Sequence, residues 1–118
     1  MESILTSIKK MLGIAEEYKQ FDDDIIMHAN SVFADLAQMG VGPSTGFAIE
    51  DDTTIWEDYI SDNLLLNSVK SYMKLRIQLL FDPNSVGSST LASYERQITQ
   101  WEWRLNFDAE CRTNTENV

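Results

Sequence analysis

The stretch NLLLNSVKSYMKLRIQLLFDPNSVGSSTLASYERQITQWEWRLNFDAE, residues 63–110, decides the fold. Two long segments with apolar residues at helical spacing flank the short polar stretch DPNSVGSS. Pro83 disfavours a helical conformation at Asp82, so the first of these helices ends there. A short turn between two long helices favours an antiparallel hairpin. We therefore predict helices over about 63–81 and 89–110 that pack side by side.

Two further helices are predicted on the N-terminal side of this hairpin. The first is short, with Ser3 as its N-cap and Gly13 at its C-terminal end. The second runs from about Asp22 to Met39, with Asp22 as its N-cap and Gly40 as a C-terminal stop. The apolar stripe of this second helix covers the hairpin. The predicted fold class is therefore all-α, a small bundle of about four helices.

The segment 41–58, which follows the second helix, is predicted to be an irregular loop or a small hairpin. The residues that prevent the helix from continuing are Gly42, Pro43 and Gly46. FAIE and TTIW flank a pair of aspartates and can pair as two short strands, although an isolated hairpin is marginal in stability. We expect one helical domain over residues 1–110 and a polar C-terminal tail over residues 111–118.

The composition limits the kinds of function. The 118 residues fit one domain, and a net charge of −10, from nineteen acidic and nine scattered basic residues, argues against binding a nucleic-acid backbone. The single cysteine, Cys111, excludes an intrachain disulfide. The apolar runs are too short to span a membrane, and the N-terminus lacks the pattern of a signal peptide. We expect a cytosolic protein, or one that belongs to a particle assembled in the cytosol.

The sequence offers no group of residues that supports catalysis or metal binding. Asp24 and His28 stand four apart on a predicted helix, a spacing that can share a metal, but two ligands are too few. His28 is the only histidine, so no nucleophile–base pair can be argued. The glycines at 40, 42 and 46 lack the spacing and the lysine of a phosphate-binding loop. We expect no catalytic residue, no enzyme activity and no cofactor.

The segment WEWRLNF, residues 101–107, concentrates three aromatic side chains on the last helix. Each residue advances about 100° around a helix, so Trp101 points into the core. The apolar residues that share its face are Leu91, Tyr94, Ile98 and Leu105. Trp103 and Phe107 lie on the opposite face, together with Arg96 and Gln100. The helix therefore has two aromatic faces rather than one cluster.

Spacing alone leaves two explanations open for Trp103 and Phe107. Either another segment of the chain, such as the first helix, covers them, or they form an interface with another subunit or partner, where Trp and Phe are enriched. Stacking on nucleic-acid bases is a weaker third explanation, because stacking surfaces occur in basic grooves.

Arg76 falls within the apolar arc of the helix predicted over 63–81. A buried guanidinium needs a carboxylate or carbonyl partner. In an antiparallel hairpin with its turn near Ser85, Arg76 lies level with Glu95. We therefore predict an Arg76–Glu95 pair that sets the register of the hairpin. The alternative is that Arg76 extends outward along its aliphatic stem to reach solvent.

Four segments carry a family resemblance: FDDDIIMHANSVFADLAQMGVGPSTGF, TIWEDYI, VKSYMKLRIQLLFDPNS and YERQITQWEWRLN. In their order, spacing and residue identities, these segments resemble the small helical head–tail connector proteins of long-tailed bacteriophages, also called adaptor or head-completion proteins. The most specific parts are MGVGPSTGF and LLFDP followed by ERQ…WRLN. The resemblance covers about residues 4–110 and involves no catalytic signature.

The resemblance implies a structural virion protein of the phage neck, between capsid and tail. Such proteins assemble in the host cytoplasm as a ring, usually of about twelve subunits, beneath the portal protein. The ring extends the DNA channel, through which DNA passes without specific binding, and it docks the next neck or tail-completion protein. The resemblance implies no cofactor.

The resemblance also favours a neighbouring subunit as the partner of Trp103 and Phe107. The predicted interface includes Arg96 on the same face, and Phe47 and Trp56 in the irregular loop, because binding often uses loops on a rigid scaffold. An acidic channel wall repels phosphates, which suits the net charge. The alternative, from a different class, is a small monomeric helical regulator that binds one protein partner.

Overall fold

A computed structural model describes residues 3–43, 45–81 and 88–116 of the chain. The helices are α1 (Ile4–Met11), α2 (Asp22–Gln38), α3 (Trp56–Tyr59), α4 (Asn63–Phe81) and α5 (Ser88–Glu116). The predicted all-α class is confirmed, and the single turn α3 is the element that was not predicted. None of these described helices is both long enough and apolar enough to cross a bilayer.

The helix ends agree with the predictions in part. α4 has the predicted bounds, whereas the N-cap of α2 is Phe21, so the prediction of Asp22 at that position is wrong. The carboxylate of Asp22 pairs with Lys9 instead of capping the helix. α5 continues to Glu116, so residues 111–116, predicted as a tail, extend the helix. The predicted turn at 82–87 lies outside the described residues.

α4 and α5 form the predicted antiparallel hairpin. Tyr72 of α4 contacts Glu102 of α5 through a hydrogen bond of 2.8 Å. Leu65, nearer the start of α4, lines a cavity together with Leu105 and Ala109, which come later in α5. Residues earlier in α4 therefore contact residues later in α5, so the two helices are antiparallel.

The hairpin extends beyond the core at its turn end. Leu91 was predicted to face the core, but 36% of its surface is exposed. Leu80, near the end of α4, is exposed as well. The apolar face of α5 therefore becomes buried only farther along the helix, where Ile98, Trp101 and Leu105 pack against the core.

The centre of the core lies between α2 and α4, which pack along each other. The residues of α2 that face inward are Ile25, Ala29, Val32, Phe33 and Leu36. The facing residues of α4 are Leu66, Val69, Tyr72, Met73 and Ile77. Burying a large apolar side chain contributes roughly 1.5–3 kcal/mol, so these two stripes, which hold half of the buried apolar residues of the described core, supply a large share of the stabilising free energy.

α1 packs on α2, and a buried lysine closes the segment between the two helices. The Nζ of Lys9 donates to the carbonyls of Glu16 and Tyr18, at 2.9 and 2.6 Å, and lies 2.9 Å from Asp22 Oδ1. A buried ammonium needs partners, and here two carbonyls accept hydrogen bonds from it while the Asp22 carboxylate balances its charge as an ion pair. Lys9 therefore holds residues 14–21 against α1.

The predicted small hairpin in 41–58 is wrong, and the alternative, an irregular loop, is what the structure contains. Within the described residues, the β pairing is a single antiparallel bridge between Ser3 and Ile55. The amide of Asn30 replaces a partner strand, because it donates to Ile49 O at 3.0 Å and accepts from Ile49 N at 2.8 Å. The side chain of Asn30 thus satisfies both backbone groups of Ile49 and attaches this part of the loop to α2.

Gly42 allows this loop to approach the core closely. Its φ of 91° lies in the left-handed region that glycine favours. A Cβ on this residue would lie 2.6 Å from Cε1 of Tyr59, a ring that is buried against Phe33 and Phe47. Both the backbone conformation and the contact therefore require glycine.

We expect Gly42→Ala to destabilise the fold more than Gly46→Ala does. Gly46 has a similar φ of 88°, but its Cβ would meet nothing within 4 Å, so it is a matched control. Gly46→Ala should lower the free energy of unfolding by about 1–2 kcal/mol, which is the conformational strain alone. Gly42→Ala should lower it by a further 1–3 kcal/mol or so from overpacking. Urea unfolding measures both, and equal losses would contradict the close contact with Tyr59.

Candidate functional site

Trp103 and Phe107 form an exposed aromatic pair on the outer face of α5. Their exposed fractions are 68% and 54%, and their rings stack with centroids 5.4 Å apart and planes 9° from parallel. Each is two residues from Leu105, or roughly 200° around the helix, and Leu105 is buried. The two aromatic faces of α5 are therefore as predicted, and the described residues leave the outer one open.

The first helix does not cover the aromatic pair. α1 packs on α2 and closes the segment 14–21, so the explanation in which it shields Trp103 and Phe107 is wrong. Arg96 and Gln100 are exposed on the same side of α5 by helical phase. The outer face thus presents a polar and basic end followed by two stacked rings.

Phe47 and Trp56 lie elsewhere. Phe47 is half-buried and packs against Phe33 and Tyr59, with ring centroids 5.0 and 4.7 Å away. Trp56 starts the short helix α3 and is 3% exposed, with Lys70 Nζ 5.2 Å from its ring centroid. Trp56 is therefore a core residue in this structure, because α3 turns it inward together with Tyr59.

A polar network joins three helices beside the aromatic pair. Arg76 on α4 binds Asp35 on α2, with Nη2 and Oδ2 2.7 Å apart. Its Nη1 donates to the hydroxyl of Tyr72 at 2.6 Å, and that hydroxyl donates to Glu102 on α5 at 2.8 Å. The guanidinium also lies 3.9 Å from the Glu102 carboxylate. One cation therefore connects α2, α4 and α5.

The predicted Arg76–Glu95 pair is not formed. Side chains on a helix lean toward its N-terminus, so the Arg76 guanidinium reaches back one turn to Tyr72. In an antiparallel partner this lean moves the contact toward the C-terminus by about one turn, roughly half of the seven residues that separate Glu95 from Glu102. Glu95 is exposed on α5. A carboxylate on α5 was thus expected correctly, but at the wrong turn of the helix.

The network changes the ionisation of its members. Burial raises the pKa of Tyr72 to about 12, and its hydrogen bond to Glu102 adds to the rise. Burial alone would lower the pKa of Arg76, but hydrogen bonds to Asp35 and Tyr72 outweigh that effect and raise it. Both shifts favour the state in which Tyr72 is neutral and Arg76 is charged.

A cleft of about 720 Å³ between α2 and α5 links the network to the aromatic pair. Asp35, Glu102 and Trp103 all line it, together with Gln38 and Met39. A ring next to two carboxylates gives this surface an apolar part and an acidic part. It therefore suits contact with another protein better than contact with DNA phosphates.

A second cavity, of about 400 Å³, lies on the other side of α5. Its wall includes Leu105 and Ala109 of α5, Leu65 of α4, and Tyr59. The Tyr59 hydroxyl is buried and has no hydrogen-bond partner within the described structure, and burial raises the pKa of Tyr59. Sequence reasoning missed this cavity, because the residues that form it come from three distant segments.

Asp24 and His28, which share a face of α2, gain no further ligand. No group of three or more His, Cys, Asp or Glu side chains is placed to hold a metal ion in the parts of the chain that the structure describes. His28 is partly exposed, and Cys111 is exposed on α5. The surfaces described above, and not an arrangement of ligands, are therefore the candidates for function.

Comparison with known families agrees with this description. A family model described as phage connector protein matches residues 4–112. The chain belongs to the phage connector family. No curated protein and no solved structure matches it. The match extends from α1 into the last part of α5, so the whole helical domain of the connector is included.

Membership of this family confirms the predicted resemblance and gives the connector its general role. It is a head–tail connector, a component of the virion neck that contacts other virion proteins. Contacts with other proteins need an accessible surface, and the aromatic pair of the connector is exposed on the outer face of α5. Large exposed aromatic side chains of this kind mark protein–protein contact sites.

We expect Arg76→Met to lower the free energy of unfolding by about 1–2 kcal/mol. Removing one partner of a buried ion pair costs about 3–5 kcal/mol, but Asp35 and Glu102 are partly exposed, so solvent screens the loss. Lys74→Met is the matched control, because Lys74 is an exposed cation on the same helix. It should change stability by less than about 0.5 kcal/mol. Chemical denaturation of both variants gives the comparison, and equal effects would contradict the bridging role of Arg76.

The stability of the connector should fall as pH rises from about 10 to about 12. The folded state raises the pKa of Tyr72 to about 12, above the ordinary tyrosine value of about 10, so in this window the unfolded chain has lost a proton that the folded chain keeps. Unfolding therefore becomes more favourable as pH rises. Tyr72→Phe should show a shallower fall, because that proton is no longer involved. Thermal melts over this range test it, and identical slopes for both proteins would contradict it.

Proposed function

We propose that the connector assembles as a ring beneath the portal protein at the capsid vertex. The ring would extend the DNA channel and dock the next neck or tail-completion protein. The observation that carries this proposal is the stacked pair Trp103–Phe107, which a connector leaves exposed on a long helix. Two aromatic side chains can bury roughly 150–250 Å² each, enough to anchor a contact between subunits.

The proposed interface includes Arg96, which is exposed on the same face of α5. The twelve subunits expected from the resemblance, and the portal and tail-completion proteins as partners, belong to this proposal. Trp56 is buried and Phe47 is half-buried against Phe33, so the proposed contact rests on α5 and not on the loop.

The acid excess suits a channel through which DNA moves. A net charge of −10 gives the connector a surface that repels phosphates. At physiological ionic strength this repulsion acts over roughly 8 Å, so only residues that face the channel would contribute to it. DNA would pass without specific binding, and the proposed role needs neither a reaction nor a cofactor.

Electron microscopy of the connector mixed with the phage's portal protein tests the proposal. We expect ring-shaped density added to one end of the portal. Trp103→Asp should abolish that density and leave the helical circular dichroism of the free chain unchanged, because Trp103 is exposed. Met27→Asp is the matched control, because Met27 is 58% exposed on α2, away from the outer face of α5.

The control variant should still decorate the portal. A wild-type connector that stays monomeric and never decorates the portal would contradict the ring, and it would favour the alternative of a monomeric helical regulator. Unfolding of the Trp103→Asp variant would instead assign Trp103 to the core, against its observed exposure.

A further inference from the structure

The outer face of α5 carries a row of five exposed side chains, the outer seam. Its members are Arg96, Gln100, Trp103, Phe107 and Glu110. Their spacings alternate between four and three residues, which keeps them along one side of the helix. The same alternation lines the contact between two helices in a coiled coil. The seam therefore has the spacing of a surface that packs lengthwise against another helix.

The outer seam has a positive end, an aromatic centre and a negative end. Arg96 and Glu110 are both exposed, and neither forms an ion pair with another described residue. Trp103 lies midway between them in the sequence, and Phe107 stacks on it. At 1.5 Å for each residue, the two charged ends are about 21 Å apart along the helix axis.

This order of charges is complementary to a second copy that runs in the opposite direction. If two copies of α5 lie antiparallel with their Trp103 residues level, Arg96 of each copy is level with Glu110 of the other. Parallel copies would instead place arginine beside arginine and glutamate beside glutamate. Opposite charges attract and like charges repel, so the seam matches itself only in the antiparallel arrangement.

The other charged side chains near the outer face lie off the seam. Glu102 belongs, with Asp35, to the ion-paired network inside the bundle. Arg104 lies over the inward-facing tryptophan of α5, and Asp108 lines the second cavity. Glu95 is exposed but turned by about 100° from the positive end of the seam. The charges that face a helix packed on the seam are therefore its own two ends.

The area of such a contact fits a weak pair. Trp103 and Phe107 are 68% and 54% exposed, so the four rings of two copies can bury roughly 400–600 Å² together. Interfaces below about 1,200 Å² are typical of transient complexes. The net charge of −10 on each copy opposes association further. We therefore expect pairing only at high protein concentration.

We propose that two free connectors pair antiparallel through the outer seam, around a two-fold axis at Trp103. Arg96 of each copy binds Glu110 of the other, and the Trp103 rings meet at the axis. The pair is closed, because both copies use the same surface. It covers the aromatic surface proposed for the ring, so a connector must leave the pair before it joins a ring. The pair goes beyond the proposed ring and does not depend on it.

Charge reversal at the two ends of the seam tests the pair. Arg96→Glu makes both ends negative, and Glu110→Arg makes both ends positive. Each variant alone should associate at least about tenfold more weakly than the wild type, because two attractions become two repulsions. An equimolar mixture of the two variants should pair at least as well as the wild type, because every charged contact again joins opposite charges. The variant with both changes should regain wild-type association.

Sedimentation velocity up to the solubility limit measures this association. Lys74→Glu is the matched control for Arg96→Glu, because it reverses an exposed cation on α4 and gives the same net charge. Glu95→Arg is the matched control for Glu110→Arg, because it reverses an exposed carboxylate off the seam. Both controls should pair as the wild type does. Circular dichroism and thermal melts establish that each variant is folded.

A distance between two spin labels tests the orientation. One label is attached at position 92, an exposed residue of α5, through Ala92→Cys in a chain with Cys111→Ser. In the antiparallel pair the two labels are about 33 Å apart along the helix axis, because Trp103 lies at the two-fold axis. In a parallel pair they are level, separated by the distance between the helices, about 8–10 Å, and the label arms. A distance that fits only level labels would overturn the antiparallel arrangement.

Three further results would overturn the pair. They are a wild type that stays monomeric up to its solubility limit, Arg96→Glu that associates as strongly as the wild type, and a mixture of the two reversed variants that gains nothing. Decoration of the portal decides the ring separately. A connector that pairs but never decorates the portal contradicts only the ring, and one that decorates the portal but never pairs contradicts only the pair.

Discussion

The guanidinium of Arg76 is the contact on which the arrangement of the helices depends. Asp35 from α2 and Glu102 from α5 approach it from two sides, and the Tyr72 hydroxyl connects it to Glu102. Apolar packing holds the helices together but tolerates small rotations of one helix against another. Directed hydrogen bonds tolerate them less, so this network fixes how α5 is rotated. With Glu102 turned inward, the next residue, Trp103, must point outward.

The exposed position of the aromatic pair is thus a consequence of a contact in the interior of the connector. If α5 were rotated by one residue, about 100°, Trp103 would take the inward position of Glu102, and Glu102 would lose Tyr72. The ion pair adds modest free energy because both carboxylates are partly exposed. Its larger contribution is to select one rotation among several that bury similar apolar area.

Much of this structure could be predicted from the sequence where the signal is local. Helical spacing and Pro83 placed α4 within its observed bounds, and helical phase placed Trp103 and Phe107 on the outside. The same method misplaced the partner of Arg76, because the phase of a residue does not include the lean of a long side chain. Helical phase also predicted, wrongly, that Leu91 is buried, because spacing along one helix does not reveal where the neighbouring helix ends.

The features that were missed join segments far apart in the chain. Asn30 satisfies the backbone of Ile49, Gly42 makes room for Tyr59, and Lys9 binds carbonyls of the segment that follows α1. None of these contacts has a period in the sequence, so spacing arguments cannot find them. The glycine-containing segment MGVGPSTGF predicted the end of α2 and a family resemblance, but the close contact that requires Gly42 became visible only with the Tyr59 ring beside it.

The exposed aromatic pair has a consequence for the connector before it reaches the capsid. Each copy carries a net charge of −10, which repels other copies, and a small exposed aromatic surface, Trp103 and Phe107, which can bind them. Repulsion extends over about 8 Å at physiological salt, whereas the attraction between rings acts only at contact. Under the proposed self-assembly, free copies would remain dispersed as they accumulate, and a template that holds two copies side by side would remove the barrier between them. Raising the ionic strength would lower that barrier and so lower the concentration at which assembly begins without a template.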